Sequence, residues 1–318
     1  MSQESNPFLN KNCSNNFVHL HKTLQDEEHL YFVLEFCPGG DLLSLCEAAE
    51  NGMGILDEEA GAFYAANIVL ILKDLHDKGV IHRDIKSENF LIASDGYLKL
   101  SDFGDSKDNM HARGRAYTLC GTNKFMAPEV VQERDEGYDF SCEWWGLGCL
   151  LYDLLCGHEP FQEENIKFLK DSIQTRDPDF PNWVSGDARS LILQLMEKDP
   201  EKRMVHVESI KSHPFFNKIN WAHLEKRLVK SPFVPSEEQK FSISETSLPE
   251  FLNQQPVNNR TNALGPAKLN KFNLRQSEQK LDQTTEDPFE YFDEDMPAPI
   301  AQVARHLSAQ FGNLGPLP

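Results

Sequence analysis

His82-Arg83-Asp84-Ile85-Lys86-Ser87-Glu88-Asn89, followed by Asp102-Phe103-Gly104, is the stretch from which the rest of the chain is read. Phosphoryl transfer from a metal nucleotide needs a carboxylate to orient the attacking hydroxyl and accept its proton. It also needs a cation beside the moving phosphate and oxygen ligands for the metal. Asp84, Lys86, Asn89 and Asp102 meet those needs in order. Between the two runs, Phe90-Leu91-Ile92 and Tyr97-Leu98-Lys99-Leu100 flank Ser94-Asp95-Gly96. That is a hairpin signal, and it folds Asn89 and Asp102 back toward one cleft. Downstream, Ala127-Pro128-Glu129 closes the segment.

The pattern preceding His82 predicts a helix from about Asp57 to Lys78. Asp57 can cap it, Glu58 and Glu59 favour the positive end of its dipole, and Tyr64, Ile68, Ile71, Leu72 and Leu75 form an apolar stripe. Gly79 ends it, and Val80-Ile81 then deliver the chain to His82. A second helix begins near Ser141 with Trp144, Trp145, Leu147, Leu150, Leu151, Leu154 and Leu155. Being apolar almost all round, it reads as a buried axis.

The chain has 318 residues, 40% of them hydrophobic, enough for one sizeable core and an extension. Seven cysteines without C-x-x-C spacing read as reduced, buried thiols. No basic-then-apolar leader pattern and no apolar run of spanning length is present, so membrane insertion is not expected and the cytoplasm or nucleus is. A net charge of −19 argues against general affinity for nucleic acid and suits basic partners. Leu281 to Met296 holds seven acidic residues and no Lys or Arg.

In motif order over roughly residues 6 to 216, the chain resembles the eukaryotic protein kinases. Lys86 after His-Arg-Asp is similar to the serine/threonine type. Asn6-Pro7-Phe8-Leu9, His29-Leu30-Tyr31, Pro38-Gly39-Gly40-Asp41 and Thr118-Leu119-Cys120-Gly121-Thr122 narrow the resemblance to the AGC group. Pro232-Phe233-Val234-Pro235 and Phe289-Glu290-Tyr291-Phe292 add to it. The resemblance implies an α+β, protein-kinase-like fold with a mainly helical large lobe, a truncated small β lobe and an extended C-terminal tail. It places an N-terminally incomplete kinase domain at 1–216, the tail at 217–296 and a disordered C-terminus at 297–318. The small lobe is expected to retain one strand pair, Phe17-Val18-His19-Leu20 and Leu30-Tyr31-Phe32-Val33-Leu34. No glycine-rich nucleotide loop, no strand lysine of the V-A-I-K type and no partner glutamate precedes Asn6, so Met1 is expected to sit inside a family domain. The chain as written should then have at most trace activity. The competing expectation is a weak or inactive short form that acts as a binding scaffold.

The same resemblance assigns roles to further residues. It implies transfer of the ATP gamma-phosphate to Ser or Thr of protein substrates, with Mg2+ on Asn89 and Asp102. The adenine would meet backbone groups of Glu35-Phe36-Cys37, with Leu91 as floor and Leu34 as gatekeeper. Thr118 matches the activation-loop phosphosite, served by an upstream kinase, its phosphate facing Arg83 and Lys107. Thr122 would bridge Asp84 and Lys86. Asp41, Glu88 and Asp153 match acidic positions that read basic residues before the acceptor. Arg203 is similar to the structural partner of Glu129, and Phe289 and Phe292 to a docking hydrophobic motif beside Asp293. Two departures stand out: Asn123-Lys124-Phe125 replaces the usual Pro-Glu-Tyr, reversing a charge near the peptide groove. Glu143 replaces an aspartate that anchors the catalytic loop, for which strain rather than loss is expected.

Overall fold

A computed structural model describes residues 14–25, 30–49, 54–108, 110, 114–118, 120–132 and 136–236. Phe289, Phe292, Asp293, the acidic run from Leu281, the part of the expected tail beyond 236 and the C-terminus expected at 297–318 lie outside the described residues. Among the described residues, 14–20 and 34–236 form one compact unit, while 21–25 and 30–33 belong to a second.

Strands β1 (Leu20–Gln25) and β2 (Leu30–Leu34) pair as a two-stranded sheet. The expected β2 agrees with the sequence, but β1 begins at Leu20 rather than Phe17. The backbone before it is committed elsewhere: the Val18 N–H donates to the Leu100 carbonyl at 2.9 Å, and the Leu100 N–H donates to Asn16 at 2.9 Å. Phe17 is buried there against the ring of Phe103, 5.8 Å away edge to face.

Short helix α1 (Leu42–Glu47) is capped by Asp41, whose carboxylate accepts the Ser44 N–H at 2.7 Å. Helix α2 (Glu58–Asp77) lies one residue inside the predicted bounds at each end, because Asp57 and Lys78 serve as its caps. Asp57 accepts the Ala60 N–H at 2.8 Å, satisfying one of the orphan donors of the first turn. Every residue of its predicted stripe is buried. Strands β3 (Phe90–Ile92) and β4 (Leu98–Leu100) form the expected hairpin with Phe90 opposite Leu100 and Ile92 opposite Leu98. Gly96 turns it at a φ of +83°, and a Cβ there would lie 2.1 Å from the Phe233 carbonyl oxygen. Glycine is therefore required twice, for conformation and for space.

Beyond the activation segment come α3 (Pro128–Val131), α4 (Ser141–Cys156), α5 (Ile166–Thr175), α6 (Gly186–Leu195), α7 (Val207–Lys211) and α8 (Trp221–Glu225). Helix α4 is buried except at Ser141 and Asp153 and packs against α2 and α6. Each large apolar side chain it buries contributes roughly 1.5–3 kcal/mol, which fixes α4 as the axis of the core. Residues after 225 close over the hairpin: Arg227 bonds Asp95 at 2.8 Å, and the Tyr97 hydroxyl donates to Val229 at 2.7 Å. The six described cysteines are free. Among the described residues no helix is long and apolar enough to cross a membrane.

Candidate active site

The loop from His82 to Asn89 leaves the end of α2 and is held by one carboxylate. Glu143 Oε1 accepts the N–H groups of His82 and Arg83 at 2.7 and 2.8 Å, so the extra methylene is accommodated without losing either bond. The same two bonds hold Arg83 at a φ of +74°, a left-handed conformation that costs a non-glycine residue about 1–3 kcal/mol. Glu143 Oε2 lies 2.6 Å from His76 Nε2, in the last turn of α2. Burial pushes the Glu143 carboxyl up, but the His76 hydrogen bond and nearby imidazoles more than reverse this and hold it below its ordinary value.

His82 orients the next residue. Its Nε2 faces the Ser101 carbonyl at 2.9 Å, which assigns the ring proton there and leaves Nδ1 to accept the Asp84 N–H at 3.3 Å. Its ring also meets Phe103 edge to face at 5.2 Å.

Three of the predicted residues converge on Asp84. Thr122 donates to Oδ1 through both its N–H at 3.0 Å and its hydroxyl at 2.8 Å. Lys86 Nζ lies 2.7 Å from Oδ2 and 3.1 Å from the Thr122 hydroxyl. Asn89 Nδ2 donates to Oδ2 at 3.0 Å and to the Asp84 carbonyl at 2.7 Å. Gly121 allows Thr122 this approach, since its φ is +99° and a Cβ would lie 2.3 Å from the Arg83 carbonyl oxygen. Burial pushes the Asp84 carboxyl up, and the bonds from Lys86, Thr122 and Asn89 outweigh it, so its pKa falls below the ordinary value. Lys86 shows the converse: burial lowers it, and Asp84, Glu88 and Asp102 raise it further than burial lowers it.

The residues suit a hard divalent cation. Asn89 commits its Nδ2 to Asp84, which leaves Oδ1 as the amide's other polar atom, a neutral oxygen donor. Asp102 supplies a carboxylate whose charge reaches Lys86, on a backbone at φ +56°. Among the described residues no group of three or more His, Cys, Asp or Glu is placed to hold a metal. An amide and one carboxylate suit magnesium bound together with phosphate oxygens and water rather than an all-protein cage.

Glu35 is tied down on both sides, by Lys99 at 2.6 Å and by an N–H bond to the His19 carbonyl at 2.8 Å. Cys37 is buried, its thiol pushed up to about 11 chiefly by burial. The loop after it returns to β3 through Gly39 N–H to the Ile92 carbonyl at 3.0 Å, and Asp41 bridges Leu91, which brings this segment beside the predicted floor. Leu34 is half exposed. The charges of Asp41 and Asp153 both act on the buried Cys46 thiol, and that of Glu88 acts on Asp153.

Thr118 is exposed, and its carbonyl accepts the Tyr138 hydroxyl at 2.7 Å. Lys107 donates to the Arg115 carbonyl at 2.6 Å, and Arg83 donates to the Asp105 carbonyl and faces Tyr138. Thr118 and Arg83 are thus linked through Tyr138, while the Lys107 ammonium is turned to the backbone at Arg115. Farther off, Arg203 makes a buried two-pronged pair with Glu129 at 2.6 and 2.9 Å.

Sequence reading missed His76, Lys99 and Glu159, the partners of Glu143, Glu35 and Lys124. No local pattern marks any of them.

The fold and this constellation agree with what comparison finds: the chain belongs to the protein kinase family, matching the Protein kinase domain over residues 2–216. It is 41% identical over 239 residues to protein kinase C delta type of Mus musculus, a match covering 75% of this chain and 34% of that protein. It is 37% identical over 240 residues to the RAC family serine/threonine-protein kinase homolog of Dictyostelium discoideum, covering 75% of this chain and 52% of that protein. To serine/threonine-protein kinase N2 of Danio rerio it is 35% identical over 244 residues, 76% of this chain and 24% of that one. These are the AGC relatives that the motifs resemble. The chain spans about a third of the length of the protein kinase C delta relatives it matches.

Proposed function

We infer that this chain carries the catalytic lobe of a protein serine/threonine kinase, acting on Ser or Thr of protein substrates with ATP and Mg2+. The observation that carries the reading is the convergence of Lys86, Thr122 and Asn89 on the Asp84 carboxylate. Asp84 stays ionised at neutral pH, as a residue that orients a hydroxyl and takes its proton requires. Lys86, kept cationic beside it, offsets charge on a transferring phosphate. Thr122 links the two, and by resemblance it would help select Ser or Thr acceptors. Magnesium, held by Asn89 and Asp102, would neutralise charge on the phosphates. Glu35 and Cys37 would offer backbone groups to adenine over Leu91. Asp41, Glu88 and Asp153 would attract basic residues before the acceptor. Phosphorylation of Thr118 by an upstream kinase would compete for Arg83 and Lys107, whose side chains now bond backbone carbonyls.

Incubation with gamma-labelled ATP, Mg2+ and a degenerate peptide library tests the reading. Trace label on serine or threonine, enriched where arginine precedes it, is the expected result. Label on tyrosine alone, or serine and threonine label that Asp84→Asn leaves unchanged, would overturn it.

A further inference from the structure

The turn Asn123–Phe125 carries the charge reversal noted in the sequence, and the structure gives it a partner. Lys124 Nζ lies 2.9 Å from Glu159 Oε1, with both side chains partly exposed. Glu159 follows the C-terminal end of α4, just past Asp153. Burial, Glu159 and Glu88 push the Asp153 carboxyl up to about 6, while His158 and Lys124 pull against them. Burial likewise raises the Glu159 carboxyl, and the Lys124 hydrogen bond more than reverses it. The chain thus seats its own ammonium on Glu159, from a residue two positions beyond Thr122, and that charge also acts on Asp153.

We propose that Lys124 is a specificity-determining residue whose ammonium, seated on Glu159 beside Asp153, competes with an arginine or lysine of the substrate and weakens selection for basic peptides. This rests on the reading that Asp153 and Glu88 receive substrate cations. A guanidinium entering beside Asp153 meets Lys124 as a like charge or displaces it from Glu159, and either costs part of the attraction. Because the pair is partly solvated, the effect tunes the preference and does not abolish it.

Fluorescence anisotropy on the full chain tests this with two labelled peptides that differ only by arginine or glutamine before the serine. Replacing Lys124→Met should raise the arginine-to-glutamine affinity ratio about fivefold, whereas Lys124→Arg should hold it within about twofold of wild type. The gain should shrink as salt rises. An unchanged or lower ratio in Lys124→Met would overturn the inference and leave Asp84-dependent transfer, the test of the kinase reading, untouched. A ratio of one in both proteins would overturn the inference together with the basic-substrate reading.

Discussion

Glu143 Oε2 lies 2.6 Å from His76 Nε2, so the carboxylate that holds the catalytic loop is itself held by the helix that delivers the chain to that loop. The carboxylate is buried, its Oε1 serves the His82 and Arg83 N–H groups, and its pKa is lowered in the fold. Its contribution to stability is therefore present above the ordinary carboxyl value of 4.5 and is lost as pH falls through the lower folded value. Replacing Glu143→Gln should cost about 3 kcal/mol at neutral pH. It should also flatten the acid limb of stability below about pH 5. Urea unfolding across that range checks both.

Thr122 spends its hydroxyl between Asp84 and Lys86. Removing it in Thr122→Val keeps the Lys86–Asp84 pair and the bonds from the Thr122 N–H and Asn89, but loses the hydroxyl that joins Asp84 to Lys86, and transfer should fall roughly a hundredfold. Thr122→Ser keeps the bond and should stay within about tenfold of wild type. Steady-state rates at saturating nucleotide separate the two.

Glu129 and Arg203 form the buried ion pair beneath the end of the activation segment. Replacing Glu129→Ala strands a buried guanidinium and should destabilise the protein by about 3–5 kcal/mol. Thermal unfolding of the variant measures it, and a loss under about 1 kcal/mol would contradict the assigned burial.

Asp153 titrates in the opposite sense to Glu143. Burial and the charges of Glu159 and Glu88 raise its carboxyl to about 6 against the pull of His158 and Lys124. The folded chain then holds this proton more tightly than the unfolded one, so stability falls as pH rises from the ordinary 3.8 through about 6. Asp153→Asn should remove that slope and gain on the order of 2 kcal/mol at neutral pH. Denaturant midpoints at acid and neutral pH give the comparison.

Much of the lobe was legible because its signals are local. Asp57 and the apolar spacing after it locate α2 to within a residue, and Ser94-Asp95-Gly96 locates the hairpin. Asp84, Lys86, Asn89 and Thr122 could be named because their chemistry requires those side chains in that order. The partners that hold the site were not legible: His76 and Glu143 are 67 residues apart, Glu35 and Lys99 64, and Lys124 and Glu159 35. Periodicity reports which face is buried, not which distant group arrives there. The start of β1 was misplaced for the same reason, since Val18 looks like a strand residue until Leu100 claims its N–H.

On the proposed function, Asp84, gripped by Lys86, Thr122 and Asn89, directs phosphate to a serine or threonine hydroxyl. The most direct test is gamma-phosphate transfer to an arginine-containing serine peptide by wild type and by Asp84→Asn, each with its melting temperature recorded. Trace transfer by wild type that falls to background in the variant, at an unchanged fold, is the expected result. Equal transfer by the two folded proteins would contradict it.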